Sequence, residues 1–220
     1  MAGDGEKSYC MEKKRVLCYG DSITWGYNPV DGFRMNENQR WTGVLACGLG
    51  DEYTVIEEGL NGRTTVWDDP LKGTFKNGMN YLIPCLASHK PLDLVILLLG
   101  TNDLKKRFSL PITEISRGID VLVEIILKSE SGKDGSTPEI LLMSPPYVHE
   151  ITGFSDEFRN SYNKSRKLPE YIKKIAAKHR CSYLDTSQWI MASELDGVHP
   201  DVSEHQKLGA MVSKMVREII

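Results

Sequence analysis

Apolar positions along this 220-residue chain follow two periods. Continuous runs such as Val16-Leu17-Cys18-Tyr19-Gly20 and residues 92–99 are short, apolar and bounded by turn formers, the pattern of strands buried on both faces. Ile115, Ile119, Leu122 and Ile126 instead recur at spacings of three and four, which places one helix face within 111–129, with Pro111 suited to its first turn. The same reading predicts strands at 53–57, 139–143 and 181–184. It predicts helices at 40–49, at 77–89 with a bend near Pro84, and at 155–179 with a kink at Pro169. A last amphipathic helix follows Pro200, with Leu208, Val212, Met215, Val216 and Ile219 facing inward. Strand and helix alternate through five strands, so the expected class is α/β, a parallel sheet covered on both faces with right-handed crossovers. One domain from residue 15 onward suffices for this pattern, preceded by a flexible polar leader over 1–14.

Several strands end in glycine-bearing loops: Gly20-Asp21-Ser22, Gly59-Leu60-Asn61-Gly62-Arg63-Thr64-Thr65 and Gly100-Thr101-Asn102-Asp103. Open α/β sheets bind ligands at that edge, and in a flavodoxin-like order 2-1-3-4-5 the switch point falls between strands 1 and 3. Those two strands deliver Ser22 and Asn102. The loop after strand 5 adds Asp196-Gly197-Val198-His199. Serine is a poor nucleophile until a base takes its proton, His199 is a suitable base, and Asp196 can orient it if Gly197 allows a tight turn. The backbone N–H groups of Ser22 and Gly62, with the Asn102 amide, then form an oxyanion hole. Strand 5 lies three spacings from strand 1, about 14 Å. The long connection over 185–199 can cover that distance.

Other histidines compete for the base. His89, His149 and His179 sit in segments with no suitably placed aspartate and read as surface or loop residues. His205 has Asp201 four residues earlier, a rival pair, but it falls inside the last helix near its apolar edge. That position favours a structural role.

Composition narrows the classes further. A formal charge of -3 gives no broad cationic field for nucleic acid or an anionic membrane, and Lys13-Lys14-Arg15 and Lys105-Lys106-Arg107 read as solvated surface. Cys10, Cys18, Cys47, Cys85 and Cys181 are odd in number and scattered, so they read as buried thiols of a cytoplasmic protein rather than a disulfide framework. No apolar run is long enough to span a bilayer. A phosphate-binding flavodoxin-like module is disfavoured by Asp21 and Asp103, and a metal hydrolase by the lack of clustered ligand spacing.

The four blocks Gly20-Asp21-Ser22-Ile23, Gly62, Gly100-Thr101-Asn102-Asp103 and Asp196-Gly197-Val198-His199 resemble, in order, the motif blocks of the SGNH (GDSL) hydrolases. The segments Arg-Trp-Thr-Gly-Val-Leu and Val-Ile-Glu-Glu-Gly-Leu-Asn-Gly-Arg-Thr-Thr are similar to the bacterial arylesterase/acyltransferase branch. The resemblance implies a three-layer α/β/α sandwich and a serine esterase of small acetyl-type esters, without metal or cofactor. It assigns Ser22, His199 and Asp196 as the triad, with Gly62 and Asn102 completing the oxyanion hole. A carbohydrate O-acetyl esterase and transfer of the acyl group to alcohols are alternatives within it. A homo-oligomer is also implied, through residues 145–165, where this sequence departs from the branch's pattern. Trp25, Trp67 and Phe154, with Tyr27 and Phe33, are the aromatic candidates for the substrate mouth, against ordinary packing roles for each.

Overall fold

The computed structural model describes residues 12–149 and 156–220. Its parallel strands are β1 (Lys14–Gly20), β2 (Tyr53–Gly59), β3 (Leu94–Leu98), β4 (Glu139–Ser144) and β5 (Ser182–Asp185). They pair in the order β2-β1-β3-β4-β5, the flavodoxin-like order expected from the sequence. The helices are α1 (Ser22–Trp25), α2 (Trp41–Leu49), α3 (Gly78–His89), α4 (Ile112–Leu127), α5 (Tyr162–His179) and α6 (Val202–Ile219).

Side chains alternate across each strand, and that alternation assigns the helices to layers. Val16, Cys18, Leu94, Ile96 and Leu98 pack with Trp41 and Leu45 of α2 and with Leu208 and Val212 of α6. Leu17, Tyr19, Val95 and Leu97 pack on the opposite face with Leu82 of α3, Ile119 of α4 and Ile172 of α5. The result is a three-layer α/β/α sandwich. Crossovers leave β1 toward opposite sides of the sheet, so the C-terminal ends of β1 and β3 flank the crevice where chain direction reverses.

Some local expectations are corrected. Helix α5 begins at Tyr162 rather than 155, because residues 156–160 form turns and the Ser161 hydroxyl ties the chain to the Leu104 carbonyl at 2.7 Å. Helices α3 and α5 continue through Pro84 and Pro169. Lys14, placed in the leader by sequence, already pairs with Tyr53 in β1, and residues 1–11 lie outside the described residues. The cysteines divide: Cys18 and Cys85 are buried thiols, Cys181 is partly buried, Cys47 is exposed, and Cys10 lies outside the described residues. No described helix is long and apolar enough to cross a membrane.

His205 is fully buried between α2 and α6, where its Nδ1 accepts the Trp41 N–H at 3.2 Å. The ring proton therefore sits on Nε2 of a neutral imidazole. Asp201 instead accepts the Glu204 N–H and caps α6, so the rival pair is structural. Burial, reinforced by His199, pushes the His205 pKa down to about 4.

A stability consequence follows. Above about pH 6.5 the ring is neutral folded or unfolded; below it the unfolded chain takes up a proton that the fold refuses until about pH 4. Stability contributed at neutral pH is thus lost as pH falls through that window, whereas Asp21 and Asp103, raised to about 6, act in the opposite sense. Urea unfolding should show wild type losing stability relative to His205→Gln between pH 6.5 and 4, on the order of 3 kcal/mol. A pH-independent difference would refute the buried neutral ring.

Candidate active site

The site begins where β1 stops. A Cβ on Gly20 would lie 2.1 Å from Thr24 Oγ1 and 2.8 Å from the Leu98 carbonyl, so only glycine lets α1 fold back over the strand end. Asp21 then caps α1 by accepting the Ile23 N–H at 3.0 Å. This four-residue helix, which sequence periodicity is too short to reveal, sets Ser22 on its first turn with its hydroxyl toward His199.

Ser22 Oγ lies 2.8 Å from His199 Nε2, and His199 Nδ1 lies 2.7 Å from Asp196 Oδ2. All three residues are buried. The connection from β5 does span the sheet edge as the sequence requires. Its end is braced by Ser193 N–H to the His199 carbonyl and by His149 N–H to the Gly197 carbonyl, each 2.8 Å. Asp196 Oδ1 also accepts the Val198 and His199 backbone N–H groups, 2.8 and 2.9 Å. Burial alone would raise the Asp196 pKa; the His199 hydrogen bond and charge, with these backbone bonds, hold it below the ordinary carboxylate value. Asp196 therefore remains an anion that can steady a charged imidazole. The Tyr27 ring packs against the His199 ring, with centroids 4.2 Å apart, and helps to fix its plane.

Gly62 and Asn102 come from the loops after β2 and β3. Gly62 has φ of 80°, a left-handed conformation that suits glycine. Asn102 Nδ2 donates to the Arg63 carbonyl at 3.0 Å and, at a longer 3.3 Å, to Asp21 Oδ2. The Ser22 and Gly62 backbone N–H groups make no hydrogen bond among the described residues. Beneath these donors, buried Asp103 accepts from the Thr65 N–H and from its hydroxyl at 2.5 Å, locking the two loops together. Burial pushes both Asp21 and Asp103 up to about 6.

Arg63 supplies the cross-brace that sequence reasoning left unassigned. Its buried guanidinium donates to the Gly20 carbonyl at 2.8 Å and to the Glu58 carbonyl, and packs 4.2 Å from the Tyr19 ring centroid. One cation thus ties the ends of β1 and β2.

A cavity of about 160 Å³ opens over Ser22, Gly62, Asn102 and His199. Tyr27 and Phe158 are its aromatic walls, while Trp25 and Trp67 are not among its lining residues. The Trp25 ring instead stacks under Arg34, 5.8 Å away, and Phe33 is 74% exposed. Phe154 lies outside the described residues. The solvated reading of Lys105-Lys106-Arg107 is overturned at two positions. Lys105 is 5% exposed and lines the cavity, paired to Glu157 at 3.0 Å, and Arg107 bridges Asp69 at 3.0 Å. Their partners are remote in sequence, as are Glu58 for His89 and Asp120 for His179.

Among the described residues, two clusters have metal-ligand spacing: Glu58, Cys85, His89 and Asp120, Glu124, His179. None of these residues lines the cavity, and in each cluster the histidine already bonds a carboxylate.

Against this geometry, comparisons with known proteins agree closely. The GDSL-like Lipase/Acylhydrolase family profile matches residues 18–207. A carbohydrate acetylesterase from Sinorhizobium meliloti is 38% identical, covering 94% of this chain and 100% of its own, with a TM-score of 0.90. An aryl esterase from M. smegmatis is 39% identical over 94% of this chain and 100% of its own, with a TM-score of 0.89. A carbohydrate acetylesterase family member, also from Sinorhizobium meliloti, is 35% identical over 94% and 98%, with a TM-score of 0.88. A search of curated proteins gives no match.

The Arg63 brace can be tested without any assay of chemistry. Arg63→Met keeps the stem but leaves the Gly20 and Glu58 carbonyls without that donor, at an expected cost of about 2–4 kcal/mol in urea unfolding. A loss under about 0.5 kcal/mol would mean that the guanidinium is not a structural tie.

Proposed function

Because the chain belongs to the GDSL-like lipase/acylhydrolase family and is a carboxylic ester hydrolase, we propose that Ser22, His199 and Asp196 form its catalytic triad and pass through an acyl-enzyme. The observation that carries this reading is the continuous hydrogen-bond line from Asp196 through His199 to Ser22, open to a cavity. Ser22 Oγ attacks the ester carbonyl while His199 Nε2 takes its proton. The Ser22 and Gly62 N–H groups and the Asn102 amide receive the oxyanion, and His199 returns the proton to the leaving alcohol. Water, activated by the same histidine, then releases the acyl group.

Cavity size supports short acyl groups. Drug-sized ligands occupy roughly 300–1,000 Å³, well above the space here. Acetyl-type esters are therefore the proposed substrates, with transfer to an added alcohol as a second outcome of the same acyl-enzyme. The carbohydrate acetylesterase neighbours favour a sugar alcohol as the leaving group. Free thiols at Cys18 and Cys85 support a reducing, cytoplasmic setting. Exposed Val30, Phe33, Leu71 and Phe75, on loops adjoining cavity-lining residues, support a homo-oligomer.

Ser22→Ala should retain its fold and lose esterase turnover to near the uncatalysed rate, and a serine-directed organophosphonate should label wild type at Ser22 alone. Full activity in the verified variant would sink the mechanism. Across acetyl, butyryl and octanoyl esters of one phenol, kcat/KM should fall as the chain lengthens. An enzyme faster on octanoyl than on acetyl would refute the short acyl site.

A further inference from the structure

The cavity carries a charge pattern that ester hydrolysis by itself does not require. Lys72, Lys76 and Lys105 line it beside Ser22 and His199, and Glu157 is the one carboxylate among its described lining residues. Glu157 is already neutralised: Lys105 Nζ lies 3.0 Å from one oxygen and Arg107 lies 3.4 Å from the other. Among the described residues, that leaves Lys72 and Lys76 in the cavity wall without a carboxylate within ion-pair distance.

The Asp69 charge reaches Lys76 but does not pair with it, because that carboxylate is occupied by Arg107 at 3.0 Å and by the Leu71 and Lys72 backbone N–H groups. Among the described residues neither Lys72 nor Lys76 forms an ion pair. Lys76 lays its stem against Gly62 and donates to the Asn61 carbonyl at 2.6 Å, which fixes the ammonium beside the oxyanion loop. Burial, then repulsion from Lys72 and Arg63, lowers its pKa. Asp21, Asp103 and Asp196 do not line the cavity; they are engaged by Ile23, Thr65 and His199 respectively. A partly desolvated cation without a counter-charge is unfavourable, and a ligand that brings the counter-charge removes that penalty.

We propose that this site selects esters bearing an anionic group such as a carboxylate, with Lys76 and Lys72 as the residues that determine the selection. This rests on the reading of Ser22 as nucleophile, and it names the substrate class for that same site. The anion is carried either by the alcohol or by the acyl part, and the substrate pairs below separate the two.

The experiment compares kcat/KM for 3-carboxyphenyl acetate with phenyl acetate, and for phenyl hemisuccinate, corrected for spontaneous hydrolysis, with phenyl butyrate. At low ionic strength at least one anionic ester should exceed its neutral partner about tenfold, with the advantage shrinking as salt is added. The Lys72→Gln/Lys76→Gln double variant should bring that ratio close to one, and the Lys72→Arg/Lys76→Arg variant should restore most of it. Equal turnover within both pairs, or a ratio untouched by the glutamine variant, overturns the proposal while leaving the nucleophile assignment standing. Lys76→Gln slowing neutral and anionic esters equally also overturns it, since the ammonium would then serve the oxyanion. A wild-type protein that hydrolyses none of the four esters overturns both readings.

Discussion

No side chain fits at Gly20, and much of the site depends on that close approach. The strand end, the turn of α1 and the Leu98 carbonyl of the adjacent strand meet there with no space for a Cβ. Parallel pairing of β1 with β3 brings Leu98 against Gly20, and the missing side chain lets α1 fold directly over both. Ser22 is thus presented by two central strands buried on both faces, elements that open last in a folded domain. The position of the proposed nucleophile derives from the sheet rather than from loop conformation.

Around that fixed point the protein buries charges that water would otherwise hold. Asp21 and Asp103 are driven toward neutrality by burial, and Arg63 has carbonyls and aromatic faces rather than a carboxylate as its bonded partners. Each arrangement costs desolvation energy, and each joins segments distant in sequence: Asp21 to the Asn102 loop, Asp103 to the Thr65 loop, Arg63 to two strand ends. Buried polar groups bonded across distant segments leave little slack for the proposed oxyanion hole to collapse or flood. Rigidity at the site thus rests on buried charges whose desolvation is offset by the contacts they make across the fold.

Much of this was legible in the sequence because strands end where their apolar runs end. Gly20, Gly59 and Gly100 mark three C-terminal strand edges, and the elements they punctuate are assigned within a few residues. The Asp196–His199 hydrogen bond was legible from the two residues standing three apart with Gly197 between them. What was not legible depends on encounters across the fold. Lys105 reads as part of a basic surface run until Glu157, fifty-two residues on, covers it. Trp25 and Trp67 follow the catalytic loops in sequence but turn away from the cavity, whereas Phe158, with no motif nearby, forms its wall. Proximity along the chain sets where a residue starts, not which way its side chain faces. The start of α5 shifted for the same reason, since Ser161 is held by a carbonyl of another segment.

Ser22 and His199 stand 177 residues apart, one emerging with the first strand and the other just before the last helix. If Ser22 is the nucleophile, as proposed, its hydroxyl remains chemically ordinary until the segment carrying His199 has joined it. The two meet because the loop after β5 crosses the sheet edge before α6 packs back along α2. Under that assignment a chain cut anywhere between β1 and the loop after β5 would carry the serine without its base, so hydrolytic competence would be a property of the assembled sheet edge and of no shorter segment.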